Sequence, residues 1–105
     1  MIDELMKKIH KNCHNVDEDM VRKAYNFAKE AHKEQKRESG EPYIIHPIAV
    51  AENLAELGMD TDTIVAGLLH DVIEDTKYTY DDVAREFNAE IANLIDGVTK
   101  LTKLG

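Results

Sequence analysis

The chain of 105 residues is short of cysteine, of basic charge and of long apolar segments. Its single cysteine, Cys13, excludes an intramolecular disulfide, which fits a reducing compartment. No apolar run is long enough to span a membrane. The first residues mix acids with apolar side chains, so they lack the basic start and apolar stretch of a secretory signal. We therefore expect a cytoplasmic protein with no membrane partner.

The shortage of basic residues also limits the ligands. Lysine and arginine number 13 against 21 acidic residues, which gives a formal net charge of -8. A surface of this sign repels nucleic acid backbones, and no basic stripe offsets it. The composition therefore argues against polymeric DNA or RNA as a partner. It still admits a small phosphorylated ligand, because a metal and one or two local cations can override the global field.

Alternating strand patterns, internal repeats and low-complexity tracts are missing, and helical periodicity fills the chain instead. Apolar residues recur at spacings of three and four in segments joined by short turns. The pattern predicts one small all-α domain of five to six helices with no significant sheet. The fourth helix begins at Asp60 or Thr61 and continues to Asp75. It is apolar on most sides, so we expect it to be the central buried helix.

Two helix starts and one helix end carry further signals. Asn15 or Asp17 can cap the second helix, which the stripe of apolar residues predicts to run to about Gln35. Thr79 with Asp82 three residues later resembles a capping box, with Asp in place of the usual Glu. These signals predict short connections between neighbouring helices.

The fourth helix contains four polar side chains within an apolar stretch, which is unusual. They are His70, Asp71, Glu74 and Asp75. Burying charged groups without partners is costly, and a divalent cation would supply the missing partner. His70 and Glu74 are four residues apart and share a helix face, while Asp71 and Asp75 share the neighbouring face. Taken singly, a buried histidine is more often a satisfied core residue, and an acidic pair at a helix end is usually solvated.

A third candidate ligand precedes the third helix. His46 stands at the expected cap position, directly before Pro47, which suits the first turn of a helix. A histidine from a helix start and a His-Asp pair from a packed helix form a reasonable set for Mn, Fe, Co, Ni or Zn. Such a metal would polarise a phosphoryl oxygen and lower the pKa of a bound water. Glu74 and Asp75 could then orient or deprotonate that water.

The ten residues before His46 form a polar segment whose Ser-Gly-Glu-Pro sequence is typical of a turn. Arg37 offers a fork of donors suited to phosphate or to stacking on a base. Ser39 offers a hydroxyl, and Gly40 allows close approach of the backbone. Tyr43 could stack or pack. Alone this is an ordinary polar turn, but its place next to His46 favours a binding role.

Three blocks of this sequence resemble the hydrolase domain of the RelA/SpoT family, in the same order and with matching spacing. They are residues 31–47, residues 68–76 with the His-Asp pair, and residues 97–101 with the sequence Gly-Val-Thr-Lys-Leu. The resemblance extends from about Asp17 onward. It implies a helical HD-type domain that removes the 3′-pyrophosphate from the alarmones ppGpp and pppGpp in the stringent response. The products are GDP or GTP and pyrophosphate, and the usual metal is manganese.

The resemblance also implies roles for individual residues. His46, His70 and Asp71 correspond to metal ligands. Glu74 and Asp75 correspond to the acidic pair that positions and activates water. Arg37 and Ser39 fall at positions where the family contacts the nucleotide. Glu38, in contrast, occupies a position that is often basic in the family.

One departure concerns the fourth ligand of the family, an aspartate in a later Ala-Asp-Arg-Leu block that lies beyond this sequence. Residues 1–105 are therefore expected to be the N-terminal part of a single HD-type hydrolase domain, incomplete by itself. The parent would continue into a synthetase domain or be a small stand-alone hydrolase. An apolar face left by the truncated last helix could support a homo-oligomer. Two alternatives stay open: an HD-type phosphohydrolase of another nucleotide, and a non-catalytic regulatory HD module.

Overall fold

A computed structural model describes residues 1–104, with side chains through residue 100. Over this range the protein is all-α, as predicted, and its only strand-like pairing is an isolated bridge between Lys36 and Pro42. The helices are α1 (Ile2–Asn12), α2 (Glu18–Ala31), α3 (Ile45–Glu56), α4 (Thr61–Leu69), α5 (Val72–Asp75), α6 (Tyr80–Glu86) and α7 (Ala89–Leu104). None of these helices is both long enough and apolar enough to cross a membrane.

Helix α4 lies at the centre, as its apolar sequence predicts. Every residue from Ile64 to Leu69 is buried, and the helix packs against α2, α3 and α7. Gly67 allows α3 to approach closely, because a Cβ atom there would lie 2.6 Å from Leu54 Cδ1 and 3.4 Å from Val50 Cγ1. The packing of this helix fixes where the residues that follow Leu69 emerge from the core.

The capping signals in the sequence are largely confirmed. Asp17 accepts a hydrogen bond from the backbone N–H of Met20, so it is the cap of α2. Asp60 caps α4 in the same way through Thr63. Thr79 and Asp82 form the expected reciprocal capping box at the start of α6.

The predicted fourth helix is divided into two. Helix α4 ends at Leu69, His70 and Asp71 form a turn, and the single turn of α5 follows. The His70 ring supplies a physical reason, because its Nδ1 lies 2.6 Å from the Gly67 carbonyl oxygen. A side chain therefore satisfies a carbonyl at the end of the helix, where orphan acceptors need partners.

The second helix is shorter than predicted, since it ends at Ala31 rather than near Gln35. The chain folds back here, and the carbonyl of Gln35 accepts a hydrogen bond from the N–H of Tyr43 at 3.2 Å. The Gln35 side chain pairs with the ring of His32 at 2.9 Å. The hairpin-like return that follows, with Gly40 at a φ of 89°, brings the polar segment next to α3.

Candidate metal centre

His46, His70 and Asp71 converge, so that one potential ligand atom of each lies within 4.8 Å of the others. The Nε2 atoms of His46 and His70 are each 3.2 Å from Asp71 Oδ2. The two imidazole rings meet edge to face, with centroids 5.3 Å apart. Two segments distant in sequence, the start of α3 and the turn after α4, therefore contribute to one cluster.

His46 was predicted to be the cap of the third helix, but the observed cap lies two residues earlier. His46 lies in the first turn of α3, and the N-cap is Ile44, whose carbonyl accepts the N–H of Ile48. Pro47 fits the first turn as expected, because a proline lacks the N–H that would be left unpaired there. The ring of His46 is 37% exposed, so the cluster opens to solvent on this side.

The environment of His70 defines which nitrogen faces the cluster. The side chain is 4% exposed, and its Nδ1 must donate to the Gly67 oxygen, since a carbonyl can only accept. In the metal-free protein Nε2 faces Asp71 Oδ2 at 3.2 Å and donates to it when the ring is protonated; loss of that proton leaves Nε2 with a lone pair for a metal. This is the arrangement of a metal-binding histidine whose second nitrogen is held by a backbone carbonyl.

Asp71 is held in its ionised form. Burial tends to raise the pKa of this carboxyl, but hydrogen bonds from His70 and Tyr43 outweigh it and lower the pKa to about 2. Burial also lowers the pKa of His46, and the neighbouring Arg37 and His70 charges act in the same direction. For His70, burial acts to lower the pKa, but the bonds to Asp71 and Gly67 raise it overall.

These donors fit a divalent cation by their chemistry. Two imidazole nitrogens and one carboxylate oxygen converge, and such mixed ligands suit first-row transition metals. The carboxylate is ionised, and His46 favours its neutral form, which are the states that bind metals. The described residues therefore contain a possible His/Asp metal site.

Tyr43 is part of this centre, although the sequence indicated only that it might stack or pack. Its hydroxyl lies 2.7 Å from Asp71 Oδ2 and 3.2 Å from Asp75 Oδ2. Burial, together with the bond to Asp71, raises the pKa of the phenol. Its position three residues before His46 indicated that it lies near this histidine, but not that its hydroxyl contacts Asp71.

The acidic pair lies on α5, and both side chains are exposed. Asp75 is anchored by its backbone, whose N–H donates to the Asp71 carbonyl at 2.9 Å. The structure thus brings Asp71 and Asp75 to the same side, as their spacing predicted. The charge of Glu74 acts on His70 and contributes to the rise in the pKa of that ring.

Arg37 and Ser39 line a separate open cleft beside the metal centre. Its volume is about 540 Å³, and Tyr43 forms one of its walls together with Lys36 and Glu38. This volume lies within the range of roughly 300–1,000 Å³ that is typical of small-molecule sites. Tyr43 consequently belongs to both features, because its side chain lines the cleft and its hydroxyl contacts Asp71.

Comparison with known proteins places this chain in a family. Residues 24–105 match the HD domain model. The chain therefore belongs to the HD-domain family. The resemblance to the RelA/SpoT branch is confirmed by the curated relatives that share its sequence.

Three relatives illustrate the similarity. A guanosine-3′,5′-bis(diphosphate) 3′-pyrophosphohydrolase of Aquifex aeolicus is 57% identical over 84 residues, covering 80% of this chain and 12% of the relative. The bifunctional (p)ppGpp synthase/hydrolase SpoT of Escherichia coli is 55% identical over 84 residues, again 80% of this chain and 12% of the relative. A GTP pyrophosphokinase of Streptomyces coelicolor is 45% identical over 107 residues, covering 99% of this chain and 13% of the relative. The chain thus spans only 12% to 13% of the length of these relatives.

Proposed function

We propose that this chain is part of a manganese-dependent hydrolase that removes the 3′-pyrophosphate of ppGpp and pppGpp in the stringent response. The observation that carries the proposal is the convergence of His46, His70 and Asp71 beside an acidic residue, Asp75. The names of the relatives from Aquifex aeolicus and Escherichia coli support the same reaction. Residues 1–105 would form the N-terminal part of the HD-type domain.

The metal, when bound, would supply Lewis acidity toward a phosphoryl oxygen and favour ionisation of a nearby water. His46 and His70 would hold it through Nε2, and Asp71 through a carboxylate oxygen. Manganese accepts such a mixture of nitrogen and oxygen donors. The backbone carbonyl of Gly67 keeps the His70 ring in the tautomer that leaves Nε2 available.

The remaining residues act on water and on substrate. Glu74 and Asp75 would orient the attacking water and accept one of its protons. The oxygen of that water forms the new bond to phosphorus, the bond from phosphorus to the ribose 3′ oxygen breaks, and the 3′ oxygen gains a proton. The products are GDP or GTP and pyrophosphate.

The cleft beside the centre would receive the nucleotide. Arg37 presents a planar fork of donors that matches a phosphate group with two parallel hydrogen bonds. Ser39, which also lines the cleft, would add a hydroxyl. These local groups would offset the acidic charge of the whole chain, since a nearby cation dominates over distant charges.

Release of pyrophosphate from ppGpp tests the proposal. We would assay the chain and a longer form of the protein that includes the Ala-Asp-Arg-Leu block, each with Mn²⁺ and with chelator. The longer form should hydrolyse ppGpp only with metal. His70→Ala should lower the rate by more than about 100-fold, since the loss of a ligand exceeds the usual 10- to 100-fold effect of its supporting groups.

His14 provides the matched control, because it is an exposed histidine outside the centre. His14→Ala should retain the rate of the parent protein. Hydrolysis that is equally fast with chelator, or in His70→Ala, would refute the metal centre. A folded, metal-loaded protein that leaves ppGpp intact but cleaves another nucleotide would assign the site to a different HD-type phosphohydrolase. Inertness toward all nucleotides would favour a regulatory module.

A further inference from the structure

The hydroxyl of Tyr43 makes a contact that the proposed ligands and acids leave unexplained. It lies 2.7 Å from Oδ2 of Asp71, which is the same oxygen that faces His46 and His70. It also lies 3.2 Å from Oδ2 of Asp75. One phenolic group therefore stands between a proposed metal ligand and a proposed catalytic acid.

The chemistry of the phenol sets its role. A tyrosine hydroxyl has one proton, and an ionised carboxylate has only acceptor sites. The proton is directed to the nearer oxygen, Asp71 Oδ2, in a charge-assisted hydrogen bond. An oxygen of a carboxylate can accept this bond on one side and still bind a cation on another, so the contact is compatible with ligation.

The ring of Tyr43 is fixed by its neighbours. It packs against the ring of His32, with centroids 4.7 Å apart, and meets the ring of His46 edge to face at 5.8 Å. His32 is itself 2% exposed and is held by Gln35. Because the ring has buried support, its hydroxyl occupies a defined position relative to Asp71.

We infer that Tyr43 is a positioning residue for the metal centre, which holds the Asp71 carboxylate in its ligating orientation. The inference rests on the proposed function, because it needs the metal that the three ligands would bind. Tyr43 acts through Asp71 and is not itself a ligand. Groups of this kind typically change metal affinity by about 10- to 100-fold when removed.

The test is Mn²⁺ binding to the 105-residue chain and to its Tyr43→Phe variant. Phenylalanine keeps the ring between its neighbours and removes only the hydroxyl. We expect the dissociation constant for Mn²⁺ to rise by about 10- to 100-fold, measured by calorimetry or by the resonance signal of free Mn²⁺. The gain in unfolding temperature on adding Mn²⁺ should shrink accordingly.

Tyr80→Phe is the matched control. The hydroxyl of Tyr80 also donates to a carboxylate, Asp96 Oδ1 at 3.0 Å, but this aspartate lies outside the metal centre. Its removal should leave the Mn²⁺ affinity unchanged. For each variant, the metal-loaded form is compared with the metal-free form of the same variant. A destabilised variant is still folded at low temperature, so its affinity for Mn²⁺ can be measured there.

The outcomes separate the two proposals. If the parent chain binds Mn²⁺ and Tyr43→Phe binds it equally well, Tyr43 is not a positioning residue, while the metal centre stands. A lower metal-free unfolding temperature with an unchanged Mn²⁺-dependent gain would show a purely structural role and also overturn the inference. If neither the parent chain nor the longer form binds Mn²⁺, the proposed function fails, and this inference fails with it.

Discussion

Two adjoining parts of the chain, residues 64–69 and residues 70–75, depend on different kinds of interaction. From Ile64 to Leu69 every residue is buried and apolar, and the stabilisation comes from area removed from water. From His70 to Asp75 the side chains are mainly polar, and Asp71 and Asp75 find partners in a distant segment, at Tyr43 and His46. The two parts differ in what they require, since the first needs close packing and the second needs specific donors and acceptors.

The difference shows how the core and the centre are related. The packing of α4 against α2, α3 and α7 decides where His70 and Asp71 emerge. The chemistry is then completed by Tyr43 and His46, which a separate turn brings to the same place. We therefore expect substitutions in the two parts to affect different quantities, stability in one and metal binding or catalysis in the other.

The clearest separation between an effect on catalysis and an effect on stability is expected at Asp75. Asp75→Asn keeps the size and the oxygen that faces Tyr43 but cannot accept the proton of the attacking water. In a form of the protein that hydrolyses ppGpp, we expect kcat to fall by about 10²- to 10⁴-fold, the range of general acid–base catalysis. The free energy of unfolding should change by less than about 0.5 kcal/mol, because the side chain is exposed.

Asp81→Asn is a control for this change, since it alters another exposed aspartate on the next helix. It should leave kcat as it is. A normal kcat in Asp75→Asn would assign proton transfer to Glu74 or to solvent. A large loss of stability would contradict the separation between the two parts.

The opposite behaviour is expected from Leu68, which is fully buried in α4. Leu68→Ala should lower the free energy of unfolding by about 2–5 kcal/mol, because lost burial and a residual cavity add together. Urea denaturation followed by circular dichroism measures this directly. Leu57→Ala removes the same atoms from a leucine that is 69% exposed, so its effect should stay within about 0.5 kcal/mol.

At temperatures where Leu68→Ala is folded, its Mn²⁺ affinity should match that of the parent chain. A weakened affinity in the folded variant would show that the cavity reaches the turn at His70. Packing and metal binding would then be coupled over the whole of residues 64–75.

Much of the fold could be predicted from local rules. Apolar spacing identified α4 as the buried helix and limited its start to Asp60 or Thr61, and short-range capping chemistry placed the start of α6 at Thr79. The end of α2 was not predicted correctly. It depends on the return of the chain to Gln35, a contact between residues eight apart that no helical periodicity contains.

The residues of the metal centre could be predicted from the sequence to about the same extent as the fold. Residue type and spacing singled out His46, His70 and Asp71, and the structure brings them together. The break in the helix at His70 was missed, because it depends on a bond between a ring nitrogen and a backbone oxygen. The contact of Tyr43 with Asp71 was missed for a related reason. It joins residues 28 positions apart, and nothing in the local pattern around either residue specifies it.

The smallest effect is expected from substitutions at the start of α4. They test whether the first turn of this helix influences the metal centre that follows its last turn. Asp60 accepts a hydrogen bond from the N–H of Thr63 at 3.0 Å. Asp60→Ala should lower the free energy of unfolding by about 1 kcal/mol, whereas Asp60→Asn, an equally good cap, should change it little. Ten helical residues span about 15 Å, so the Mn²⁺ affinity should be the same in both variants. A loss of affinity in Asp60→Ala alone would mean that fraying at the first turn is transmitted along α4 to His70, and the buried part would then control the polar part dynamically as well as by position.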